Sequence, residues 1–133
     1  MASYTLTVTI PRGFGEALAA TREALADQGF GILTEIDLAG TLNEKVGVEM
    51  APQVILGACR PQLAYQALQE DDSIAAVLPC NVVVRADGPD SAIVEAFDPE
   101  TMLGLADNPA LDTVAADAKE RINAALAALT AEG

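Results

Sequence analysis

The sequence contains no histidine and no tryptophan. Without histidine the chain cannot supply a Ser-His-Asp or Cys-His catalytic pair, nor an imidazole ligand for zinc or haem. Positive charge is scarce: seven Lys and Arg stand against 20 Asp and Glu, for a formal net charge of −13. Such a chain repels a phosphate backbone, so nucleic acid is not an expected partner. There are only two cysteines, Cys59 and Cys80, too few and too widely spaced for a zinc ribbon. No apolar run reaches the roughly 18 residues that read as a membrane span. Met1 to Thr9 alternate instead of forming the apolar block of a leader peptide. These absences lead to the expectation of a cytoplasmic protein with no membrane partner, no metal and no cofactor. In that compartment both thiols are expected to stay reduced.

What is present is globular. The chain has 133 residues, 51% of them hydrophobic, which suits one domain over residues 1–133 around one core. Tyr4 to Ile10 alternate, with Tyr4, Leu6, Val8 and Ile10 on one face and threonines on the other, as in a half-buried strand. After Pro11 and Gly13, Phe14, Leu18, Thr21 and Leu25 recur at helical spacing, and Gly29 suits the helix end. Phe30 to Leu38 reads as a second strand, with Ile32, Thr34, Ile36 and Leu38 on one face and Leu33, Glu35 and Asp37 on the other. Thr41 to Val48 reads as a short helix or turn, with Thr41 and Glu44 matching a capping box. Val54 to Cys59 is a third strand, and Pro61 opens a helix that ends at Glu70-Asp71-Asp72. Ile74 to Leu78 is apolar and ambiguous. Cys80 to Ala86 and Ala92 to Phe97 form a hairpin around Asp87-Gly88-Pro89-Asp90. Asp98-Pro99-Glu100 starts the last helix, and Leu111, Ala115, Ala118, Ile122, Leu126 and Leu129 mark it as long and amphipathic. This order predicts an α+β fold with an antiparallel or mixed sheet and helices on one face.

Two stretches bear chemistry. In Gly57-Ala58-Cys59-Arg60-Pro61 a cysteine ends a strand just before a proline-led helix. The helix N-terminus and Arg60 both favour the thiolate, so Cys59 is the candidate reactive thiol. Cys80 starts another strand, followed by Asn81. If the two strands are antiparallel neighbours, the thiols come close, with Cys80 as a resolving partner. The plainer reading makes both cysteines small core residues. The weaker candidates are Glu35 and Asp37, two positions apart on one strand face. Such carboxylates can act as acid and base or hold a divalent cation; a solvated face explains them as well.

Several blocks then occur together: Gly29-Phe30-Gly31-Ile32-Leu33-Thr34-Glu35-Ile36-Asp37, Thr41-Leu42-Asn43-Glu44-Lys45-Val46-Gly47, Ile55-Leu56-Gly57-Ala58-Cys59-Arg60-Pro61 and Leu78-Pro79-Cys80-Asn81-Val82-Val83-Val84. In this order the chain resembles the bacterial and archaeal family called domain of unknown function 302. The resemblance implies a helix-grip (TBP-like) fold, in which a curved, mainly antiparallel sheet of about five strands cradles a long helix. It also implies a homodimer, and it carries no activity and no catalytic residue. Arg60 stands where the family more often has asparagine, and its charge would sharpen the reactivity of Cys59. The leading reading is a small non-catalytic homodimeric module that binds a small ligand or a protein partner. Its ligand space would lie between sheet and C-terminal helix, near Ala115 and Ala118. The alternative is a thiol-dependent redox or sulfur-handling protein using Cys59 and Cys80, with Arg60, Pro61 and Asn81 in support. An enzyme built on Glu35 and Asp37 ranks last.

Overall fold

β-Branched and aromatic residues at alternating positions build the strands. The computed structural model describes residues 2–131; Met1 lies outside them. Strand β1 (Thr5–Ile10) leads to helix α1 (Phe14–Asp27), followed by β2 (Gly31–Asp37), α2 (Leu38–Val46) and β3 (Gln53–Cys59). Then come α3 (Pro61–Glu70), a 3-10 helix over Asp72–Val77, β4 (Cys80–Ala86) and β5 (Ala92–Phe97). The chain closes with α4 (Pro99–Gly104), a 3-10 turn over Pro109–Leu111 and α5 (Asp112–Ala131). The five strands form one open sheet in the order β1-β5-β4-β3-β2, and every neighbouring pair is antiparallel. The expected α+β class is therefore present, and the helix-grip arrangement is compatible with it.

The core lies between this sheet and the helices on one of its faces. Val54, Leu56 and Ala58 of β3, Val82 and Val84 of β4, and Ala92, Val94 and Ala96 of β5 are buried on that face. Leu25 of α1 and Ile122 of α5 meet them from above and are as deeply buried. Each large aliphatic side chain taken fully out of water contributes about 1.5–3 kcal/mol.

Local chemistry accounts for the joints. Gly29 ends α1 in the left-handed region at φ +86°. Its N–H donates to Ala26 O, and that of Phe30 donates to Leu25 O, the paired bonds of a Schellman end. Asp98 caps α4 by accepting from Glu100 N at 2.9 Å and also accepts from Lys119 Nζ of α5 at 3.1 Å. The acidic triple at 70–72 is a double cap. Asp71 ends α3, and its carboxylate accepts from Ser73 N to start the 3-10 helix over Asp72–Val77.

Three local expectations are corrected. Asp37, not Thr41, caps α2: its Oδ1 accepts from Gly40 N at 3.0 Å, and Thr41 lies inside the helix. The helix begun at Pro99 stops at Gly104, so α4 and α5 are separate. In β2 a register shift between Ile32 and Thr34 exchanges the two faces. Ile32 faces the core beside Ala58, but Thr34 and Ile36 lie on the opposite face, leaving Ile36 45% exposed. Glu35 and Asp37 thereby turn to the helix side. One inserted residue reverses every later side chain, because the strand period is two.

Candidate functional site

The β3–α3 junction follows from the strand period. Val54, Leu56 and Ala58 point to the helices, so Cys59 points the other way. Ala58 is the register partner of Cys80, which places the Cys80 side chain on the helix side. The two strands are antiparallel neighbours as expected, but the thiols lie on opposite faces of the sheet. The expected close pair is not formed, because the register is offset by one residue. Both cysteines are free. Cys80 is buried, donates to Phe97 O at 3.5 Å, and has its thiol pushed up to about 12 by burial and by the nearby Asp98 charge. Cys59 is half-buried, and burial raises its thiol too. Burial thus opposes the thiolate that the helix terminus and Arg60 would favour.

Arg60 is the N-cap of α3, where its side chain offers no capping acceptor. Its Nε is buried and meets no acceptor. A Cβ placed on Gly29 would sit 3.0 Å from that nitrogen, so the guanidinium stem lies flat against the α1–β2 turn. Pro61 is exposed at the first helical position, and Asn81 is exposed on the open sheet face. Between Arg60, Phe30, Ala64, Pro79 and Ala118 lies an apolar cleft of about 40 Å³. That is room for no more than about three water molecules. Beneath α5, where the sequence suggested a ligand space, Ala115 is buried and Ala118 lines this cleft.

Glu35 and Asp37 have structural partners. Glu35 forms an ion pair with Arg22 of α1, and Asp37 caps α2. Among the described residues no cluster of three His, Cys, Asp or Glu side chains is placed to hold a metal ion.

Among the described residues no helix covers the second face of the sheet. Tyr4, Ile36, Ile55, Val83, Ile93 and Phe97 form its apolar surface, with Tyr4 edge-on to Phe97 at 6.4 Å between ring centroids. At its centre Glu95 accepts from Thr5 Oγ1 at 2.6 Å and from Arg85 at 2.6 Å. The Thr5 hydrogen bond, then Arg85, holds the Glu95 carboxyl below the usual glutamate range. Sequence reasoning missed this cluster, although the hairpin encodes it. The turn at 87–90 pairs Ala86 with Ala92 and Arg85 with Ile93, which sets Glu95 diagonally opposite Arg85. A lowered carboxyl stabilises the fold above its unfolded pKa, and that contribution disappears as pH falls through the folded value. Glu95→Gln is therefore expected to cost about 1 kcal/mol at neutral pH. Urea melts should show the gap to wild type closing below the ordinary glutamate range.

Among the described residues no helix is long and apolar enough to cross a membrane. No curated protein matches the chain. A solved structure described as the uncharacterized conserved protein DUF302 from Bacillus stearothermophilus is similar at 32% identity and a TM-score of 0.88, covering 96% of this chain and 99% of that one. The sequence pattern of the family described as Domain of unknown function DUF302 matches residues 6–129, which include the β3–α3 junction, the Leu78-Pro79-Cys80 block and all five strands. With that span matched, the chain belongs to the DUF302 family.

Proposed function

We propose that the chain is a one-domain, non-catalytic binding module that acts as a homodimer, its two copies meeting through the open face of the sheet. The observation that carries this reading is the apolar face of Tyr4, Ile36, Ile55, Val83, Ile93 and Phe97, which no helix among the described residues covers. Its charge supports a second copy as the occupant. In a chain of net charge −13, the strand residues of this face carry one arginine and one glutamate, already paired with each other. The acidic excess lies elsewhere, so two such faces approach without the repulsion that the rest of the surface would impose. Its size fits as well. Five strands about 4.8 Å apart and six residues long at about 3.3 Å give roughly 500 Å² in projection. Side-chain relief brings that towards the roughly 800 Å² per partner of a standard interface.

A thiol-pair redox role has less support, because Cys59 and Cys80 lie on opposite faces and burial raises both thiols. Two free thiols suit a reducing cytoplasm. Sedimentation at micromolar concentrations tests the dimer. The wild type is expected at twice the 13.7 kDa chain mass. Ile55→Lys, which places a charge in the middle of the face, is expected to sediment as a folded monomer. A wild type that stays monomeric throughout that range overturns the proposal.

A further inference from the structure

Arg22, Arg85, Lys119 and Arg121 each pair with a carboxylate. Among the described residues Arg60 meets no carboxylate, and its Nε is buried without an acceptor. A buried donor on a charged group is costly unless an acceptor meets it. No acceptor comes from the neighbouring elements. Gly29 offers no side chain, α3 has no capping side chain at this end, and Phe30, Pro79, Ala64 and Ala118 make the adjoining walls apolar. Arg60 lines the cleft they enclose, whose volume of about 40 Å³ gives room for about one or two carbons.

From this unpartnered guanidinium nitrogen beside an apolar cleft that Arg60 lines we infer that Arg60 forms a binding site for a short-chain monocarboxylate. The carboxylate accepts from the guanidinium, and the first carbons of the tail enter the cleft beside Pro79 and Ala118. Guanidinium geometry suits a planar two-oxygen acceptor. The apolar walls disfavour an acceptor hydrated on every side, which separates a carboxylate from inorganic phosphate. The small volume limits the buried tail to one or two carbons, so affinity rises from formate to propionate and then levels off.

The site is independent of the sheet face, and one experiment separates the two. ¹⁵N–¹H spectra of the whole chain are titrated with formate, acetate, propionate, hexanoate, inorganic phosphate and propanol. Saturable shifts are expected at residues 29–31, 58–63 and 78–80. Each of the first added carbons should tighten binding about two- to fourfold. Arg60→Gln is expected to weaken propionate binding about tenfold or more while keeping the wild-type fold. Ala64→Leu, which fills the cleft, is expected to abolish the preference for propionate over formate and to leave formate bound. Ile55→Lys should bind propionate as the wild type does, whatever its oligomeric state. Shifts elsewhere, equal affinity in Arg60→Gln, phosphate binding as tight as propionate, or no saturable shift overturns the inference.

Discussion

Gly57→Val is expected to lower stability by about 3 kcal/mol or more, or to prevent folding. Gly57 lies in β3 opposite Asn81 of β4 and beside Thr34 of β2. A Cβ there would fall on Thr34 Oγ1 and 2.9 Å from Cγ of Pro79. The Thr34 hydroxyl can rotate away, but the Pro79 ring cannot, because it is anchored directly before Cys80 at the start of β4. Valine adds two methyls to that clash, so β3 and the 78–79 segment must move apart. Alanine is expected to cost about 1–2 kcal/mol at the same position. For a chain of this size the valine variant should melt about 10 °C or more below wild type. Gly15 in α1 is the control. A Cβ there meets nothing within 4 Å, and Gly15→Ala should stabilise by about 0.5 kcal/mol. Equal melting of Gly57→Val and wild type would mean that the close approach of Pro79 to β3 is not needed.

The same close approach also separates what local sequence rules can reach from what they cannot. Tyr4–Ile10 and the hairpin from Cys80 to Phe97 are readable because alternation and a Gly-Pro turn act over a few residues. The helices opened by Pro61 and Pro99 are readable for the same reason. The β2 strand is misread from its alternation, because the shift after Ile32 has no residue signature: Leu33 looks like any strand leucine. The cysteines illustrate a second limit. Their strands are correctly neighbours, yet one residue of register decides whether two thiols meet or face apart, and register depends on the whole sheet. The Arg85–Glu95–Thr5 cluster needs both the hairpin register and the return of β1 to the far side of β5, a pairing about 90 positions apart in sequence. Arg60 is the clearest case. Its position before Pro61 is legible as a helix start, but its want of an acceptor depends on Gly29, Phe30 and Pro79 arriving from two other segments.

Alkaline titration should produce the second large effect, through Cys80. Its thiol is pushed up to about 12 from an ordinary 9.0, first by burial and then by the Asp98 charge. In the unfolded chain the thiol loses its proton near the ordinary value, whereas in the folded chain it keeps it. A folded pKa above the unfolded one stabilises fully below the unfolded value and is lost as pH rises through the folded one. Stability is therefore expected to fall between about pH 9 and pH 12, by about 1.4 kcal/mol per pH unit from this group and about 4 kcal/mol in all. Cys59, raised in the same direction by burial, steepens the early part of the fall. Cys80→Ala removes the steep component. It leaves a small cavity and loses the hydrogen bond to Phe97 O, so it begins less stable by about 1–2 kcal/mol at neutral pH. The two urea-denaturation curves should converge as pH rises and cross above about pH 10. If they stay parallel, the Cys80 thiol ionises alike in both states and is not shielded from water. A steady wild type beside a falling Cys80→Ala would reverse the sign, placing a stabilised thiolate inside the core, where Asp98 and the helix-side aliphatic residues oppose one.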